Sequence, residues 1–174
     1  MRRSLQWLTA CLVGVAAILP GPAVAAATRC DAGPPPAAPL WAGDFDGDGS
    51  ADRLWLLAPG SQLRANDWVR DPWKDRQRRF DATALTLVVQ HGGGAVSARC
   101  TLIQSRSFFA TPIWEEGEKP IHVLPRGEAA AKQWRHVTRG WRGDGILLGT
   151  EAGVDLLLYW DGRRYRVAYA SEAP

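Results

Sequence analysis

Histidine, cysteine and methionine are scarce in this chain, at three, three and one of 174 residues. His91, His122 and His136 form no H-x-x-x-H pattern and no Cys/His spacing of the kind that holds zinc, so they read as surface or core histidines. No serine stands on a G-x-S-x-G elbow, and without that nucleophile His91-Gly92-Gly93-Gly94 reads as a hairpin turn rather than an oxyanion-hole segment. Glu115, Glu116 and Glu118 could supply paired carboxylates for glycoside hydrolysis, but no positioned partner accompanies them and they read as a solvated run. No residue set supplies nucleophile, base and oxyanion donors together. The chain is therefore expected not to be an enzyme, with a small hydrolase built on the Glu cluster as the remote alternative. A large net charge of either sign is also lacking. The formal net charge is +3, and Arg2 and Arg3 carry two of those units, so a nucleic-acid partner is not expected.

The first residues have the layout of an export leader. Arg2 and Arg3 form a basic start, residues 5–19 are largely apolar, and Ala23-Val24-Ala25 has the A-x-A form of a cleavage site. The apolar run is shorter than the roughly 20 residues of a membrane span, so no stable membrane anchor is expected. Cys11 could belong to a lipobox at residues 8–11, but the run continues to Leu19, which argues against lipidation. The expected division is a signal peptide at 1–25, a Pro/Ala-rich arm at 26–40 and one domain at 41–174, in a periplasmic or secreted protein. In that oxidising setting Cys30 and Cys100 are expected to pair.

The densest signal lies at residues 44–52, where Asp44, Asp46, Asp48 and Asp52 occupy positions 1, 3, 5 and 9 of a Gly-rich loop. Alternate carboxylates on a tight turn converge on one point, the carbonyl at position 7 belongs to Ser50, and Gly49 stands at position 6 where the turn is sharpest. This is a Ca²⁺-binding pattern. An EF-hand is excluded, because position 12 is Trp55 instead of Glu and the loop runs into the apolar stretch 53–57 instead of a helix. The run Gly43-Asp44-Phe45-Asp46-Gly47-Asp48-Gly49-Ser50-Ala51-Asp52, followed by that stretch, resembles the calcium loop of FG-GAP/VCBS repeats, as in integrin-α β-propellers. The resemblance covers about residues 41–58 and implies a β-hairpin site with Asp44, Asp46, Asp48, the Ser50 carbonyl and Asp52 as ligands.

Beyond the loop the chain reads as mainly β. Strands are expected at 54–57, 82–90, 95–104, 108–109, 121–124, 146–150, 154–160 and 164–170, from period-2 alternation and from the Asp161-Gly162 hairpin signal. Residues 59–79 form a long charged excursion or a short helix, and 129–134 is the one stretch with good helix propensity. The expected architecture is an antiparallel β-meander, partial propeller-like or sandwich, with at most one or two short helices. Trp41-Ala42-Gly43-Asp44 recurs as Trp141-Arg142-Gly143-Asp144, a degenerate repeat or a coincidence. The Arg142-Gly143-Asp144 tripeptide is discounted as an integrin motif.

Trp68, Arg70, Trp73, Arg76, Trp114 and Trp141 lie in polar or loop contexts and are the candidate interface residues, since Trp and Arg anchor interfaces. The function expected is that of an exported, calcium-binding, non-catalytic β domain that binds another macromolecule. The leader, the Asp loop and the terminal hairpin at 156–165 together resemble periplasmic immunity proteins that inhibit peptidoglycan-hydrolase effectors of bacterial type IV secretion systems. That resemblance implies that the loop at 59–79, or the Glu-rich loop at 115–118, plugs a hydrolase cleft. The alternative is a module for cell-wall glycan or another carbohydrate, with exposed Trp rings as stacking platforms.

Overall fold

The computed structural model describes residues 38–60, 68–93, 99–115 and 120–170. The leader, Cys30, Arg64, Glu116, Glu118 and the side chain of Glu115 lie outside the described residues.

The chain enters through β1 (Trp41–Gly43), which pairs antiparallel with β2 (Asp52–Leu57), and the Asp-rich loop is their connection. Period-2 alternation sorts the next residues. Leu54 and Leu56 face the central core, and Trp55 and Leu57 the opposite side of the sheet. The described end of the charged stretch, residues 68–79, is neither a free excursion nor an α-helix. It forms β3 (Trp68–Asp71) and β4 (Arg76–Arg79), an antiparallel pair joined by one 3₁₀ turn at Pro72–Lys74. Pro72 presets the dihedral angle for that turn, and Asp75, at φ 46°, closes it.

β5 (Thr86–Gln90) pairs with β2 on one side and with β6 (Cys100–Ile103) on the other, and β3 joins β6 in parallel at Arg70 opposite Ile103. The first sheet thus has the order β1-β2-β5-β6-β3-β4. Phe108 and Phe109, expected as a strand, lie instead in the short helix α1 (Arg106–Phe109), followed by α2 (Pro112–Glu115). Adjacent strand residues point to opposite faces, whereas a helical turn brings both rings into one aromatic knot. Trp73 stacks on Phe108 at 4.6 Å between centroids, and Phe109 meets Trp114 edge-on at 4.9 Å.

The second sheet is a meander, β7 (Ile121–Leu124), β8 (Arg142–Leu148), β9 (Leu156–Trp160) and β10 (Tyr165–Tyr169). The helix-prone stretch Ala129–Trp134 is a 3₁₀ segment that covers its outer face with Ala131 and Trp134. Leu54, Leu87, Val89 and Ile103 of the first sheet share one core with Ile146, Leu148, Leu158 and Tyr165 of the second. The two sheets therefore pack as a sandwich, within the mainly β class expected from the sequence.

Two expected interface residues are corrected by this packing. Trp114 is fully buried in the aromatic knot, and Trp141 is 6 % exposed beside Tyr159. Flanking polar residues made both look like surface, but each ring fills an end of a small core. Trp134 is buried likewise.

Candidate metal centre

The loop between β1 and β2 is folded around its own carboxylates. Asp44 Oδ1 accepts hydrogen bonds from the N–H groups of Gly47 (2.7 Å) and Asp48 (3.1 Å), and its Oδ2 accepts from Gly49 (3.0 Å). Asp46 Oδ1 accepts from the Asp48 N–H at 3.2 Å, and Asp48 Oδ1 from the Ser50 N–H at 2.7 Å. Such closure needs positive φ at Gly47 and Gly49, 74° and 86° respectively. Asp44, Asp46 and Asp48 each present an oxygen within 4.8 Å of the others.

Asp52 turns the other way. Its side chain is fully buried, and its Oδ2 accepts from the Phe45 (2.8 Å) and Asp46 (3.3 Å) N–H groups. Its Oδ1 accepts from the Gly92 N–H at 2.7 Å, across 40 residues of chain. The His91-Gly92-Gly93 turn is thus docked on the Asp loop. A Cβ on Gly92 would stand 2.4 Å from the Ala51 carbonyl oxygen, and one on Gly93 would stand 2.4 Å from Ser50 Oγ.

That turn delivers a group the sequence did not assign to the site. His91 is 7 % exposed; its Nδ1 lies 3.1 Å from Asp46 Oδ2 and 3.6 Å from Asp52 Oδ2, and its Nε2 lies 3.1 Å from Thr101 Oγ1. Of the five ligands expected around one point, the four carboxylates therefore fall into two groups that share Asp46, namely Asp44, Asp46 and Asp48 toward solvent, and Asp46 and Asp52 inside, where His91 joins them. Either acidic group could hold a metal ion. The outer set is all oxygen, and the inner one includes an imidazole nitrogen. In sequence His91 is 39 residues from Asp52, and the signal that could have found it is the glycine run directly after a strand that pairs with β2.

The electrostatics follow from burial and neighbours. Burial, then the Asp52 charge, raises Asp46 above the ordinary carboxylate range. Burial also acts to raise Asp52, but contact with His91 and the N–H groups of Gly92 and Phe45 outweigh it and hold that carboxyl below its ordinary value. Beneath the site, Tyr165 is buried, and its hydroxyl has no hydrogen-bond partner among the described residues. Burial first, and then Asp52, Asp46 and Asp44, push its ionisation well above the usual range.

The Trp-Gly-Asp echo is a contact. The Asp144 N–H donates to the Asp44 carbonyl at 2.6 Å, and the Asp44 N–H donates to Asp144 Oδ2 at 3.0 Å. The ladder between β8 and β9 shifts register between Arg142 and Ile146, an irregularity that aims Asp144 back across the sandwich. Gly143 is buried and Asp144 is occupied in this junction, so the Arg142-Gly143-Asp144 tripeptide is not presented to solvent as a loop.

Elsewhere, the remaining interface candidates share the β3–β4 hairpin. Trp68 is half exposed, with the Arg79 guanidinium 4.5 Å above its ring. Arg70 is mostly buried and ion-paired with Asp75, which also holds Arg164 of the second sheet at 3.0 Å. Arg76 is exposed, 3.7 Å from Asp71, and Trp73 is half-buried against Phe108. A separate half-open cavity of about 530 Å³ is lined by Leu85, Ser105, Arg106, Phe109 and Trp114 among others. Nothing among protein-family models, curated proteins or solved structures matches this chain.

Proposed function

We propose that this chain is a Ca²⁺-stabilised, non-catalytic β domain of an exported protein, working by binding another macromolecule. The observation that carries the reading is the loop at 44–52, whose Asp44, Asp46 and Asp48 oxygens converge at the solvent edge of a wall built from backbone N–H donors. Three carboxylates so close repel one another by on the order of a few kcal/mol at an effective dielectric of about 20, and a hard cation with oxygen ligands removes that cost. Ca²⁺ would be held by Asp44, Asp46 and Asp48, with the Ser50 carbonyl and Asp52 completing the set implied by the resemblance to FG-GAP/VCBS loops. In the proposed function the ion ties the β1–β2 connection to the second sheet through Asp44 and Asp144.

The binding surface we assign is the β3–β4 edge, where Trp68 is exposed and the Arg79 guanidinium stacks on it. An edge strand with an aromatic platform and the exposed Arg76 and Arg79 fits an acidic protein surface, such as the cleft of a peptidoglycan hydrolase. The test has two arms. Melting in EDTA and in millimolar Ca²⁺ should show a Ca²⁺-dependent rise for the wild type and none for Asp48→Ala, since a ligand of the folded state stabilises by RT ln(1 + [L]/Kd). Inhibition of cell-wall lysis by a hydrolase should be lost in Trp68→Ala with the melting point unchanged; pull-down on insoluble glycan, without inhibition, selects the carbohydrate-binding alternative.

A further inference from the structure

We propose that Asp46, Asp52 and His91 form a second metal position, distinct from the oxygen-only loop set, which takes a divalent first-row transition-metal ion in preference to Ca²⁺. An imidazole nitrogen is a poor ligand for a hard cation and a good one for Zn²⁺, Fe²⁺ or Ni²⁺, while carboxylates serve both classes. The geometry has the features of such a site. His91 is 93 % shielded from solvent, and its Nδ1 stands between Asp46 Oδ2 and Asp52 Oδ2, at 3.1 and 3.6 Å, with a well-aligned hydrogen bond to neither. Asp46 Oδ2 accepts no backbone N–H among the described residues; Asp52 accepts two at Oδ2 and one at Oδ1, so the acceptor capacity left for an ion lies on Asp46 Oδ2 and Asp52 Oδ1.

The surroundings supply two further observations. A metal on Nδ1 requires the ring proton on Nε2, and Thr101 Oγ1 lies 3.1 Å from that nitrogen, in place to accept it and fix the ring. Tyr165, fully buried in the field of Asp46 and Asp52, has a hydroxyl without a hydrogen-bond partner among the described residues. A buried phenol left unpaired is destabilising, and an ion or its bound water would supply a partner. Three protein ligands with one position left over is also the ligand count of an open Zn²⁺ site.

The proposal shares Asp46 and Asp52 with the calcium reading and is tested apart from it. Metal-free protein is titrated with Zn²⁺ alone by calorimetry and with Co²⁺ alone by visible absorption, each without and with saturating Ca²⁺. The expected result is one Zn²⁺ equivalent that persists in Ca²⁺, a Co²⁺ spectrum with nitrogen-ligand bands, and loss of both in His91→Ala, while the Ca²⁺-dependent rise in melting point remains. Thr101→Val, which keeps the side-chain volume, should weaken Zn²⁺ binding by roughly 10–100-fold. If His91→Ala does not fold, imidazole ¹⁵N spectra of the wild type decide, because Zn²⁺ should shift His91 Nδ1 and leave the exposed His122 and His136 in place. Zn²⁺ affinity indifferent to His91 and Thr101, or no Zn²⁺ binding by a protein that still responds to Ca²⁺, overturns the second position alone. Indifference to both ions overturns it together with the calcium reading.

Discussion

At the scale of the residue, Asp52 illustrates how one carboxylate can be both a candidate ligand and a structural hub. It satisfies the N–H groups of Phe45, Asp46 and Gly92 and is completely inaccessible to solvent. Asp52→Ala leaves those donors unsatisfied, at about 1–3 kcal/mol for each that stays buried, so it should lower the urea midpoint even in EDTA, unlike Asp48→Ala. The pH dependence differs in sign between the two inner carboxylates. Asp52 has a depressed folded-state value, so its contribution is complete above the unfolded value near pH 4 and is lost as the pH falls through the folded one. Asp46 is raised, so its ionised form costs stability at neutral pH, and protonation relieves that cost. Urea midpoints in EDTA between about pH 6 and pH 2 should therefore show a shallower acid loss for Asp52→Asn than for the wild type. A parallel pair of curves would remove Asp52 from this role.

At the scale of the element, the junction between the Asp loop and β8 decides how the two sheets are joined at this end. Gly143 has φ 65°, and a Cβ there would lie 2.3 Å from the Asp44 carbonyl oxygen and 2.6 Å from the Gly47 nitrogen, backbone atoms that cannot swing aside. Gly153 has φ 70° but nothing within 4 Å of a Cβ. Gly153→Ala should thus cost only the left-handed strain, about 1–2 kcal/mol. Gly143→Ala should cost clearly more and, by displacing Asp44, should also reduce the Ca²⁺-dependent rise in melting point. Equal losses for the two variants would show that the junction is soft. The β3–β4 hairpin is held by a different device. Asp75 pairs with Arg70 on its own hairpin and with Arg164 of the second sheet, which explains why a stretch so rich in opposite charges folds onto the sandwich instead of standing free.

At the scale of the whole molecule, the tryptophans divide between core and surface in a way that separates stability from binding. Trp114 is fully buried against Phe108 and Phe109, and its replacement by Ala should cost about 3–5 kcal/mol. Trp68 is 50 % exposed, so Trp68→Ala should leave the melting point within about 2 °C of wild type, in line with surface changes of about 0.5 kcal/mol or less, while removing partner binding. Cys100 is buried in β6, and pairing with Cys30 would close a loop of roughly 70 residues, worth about 4 kcal/mol by the loop-entropy argument. Thiol titration of denatured, unreduced protein should accordingly find neither cysteine free.

The elements that depend on local pattern were legible in the sequence. The short continuous apolar runs at 54–57 and 156–160, the turn at Asp161-Gly162 and the Asp-Gly register of the loop each carry their own signal, because each is set by residues that are neighbours along the chain. What the sequence left undecided depends on groups far apart in the chain. The helical turn at Phe108-Phe109 follows from the rings it must reach, Trp73 and Trp114. The burial of Trp141 follows from Tyr159 and the outer face of the second sheet. The place of His91 follows from the pairing of β2 with β5, which sets the His91-Gly92-Gly93 turn against the Asp loop. Spacing along the chain spoke against a zinc site because metal-ligand motifs record ligands that are neighbours in sequence. Strand pairing brings a histidine and two carboxylates together without any such spacing, and only the tertiary structure decides that.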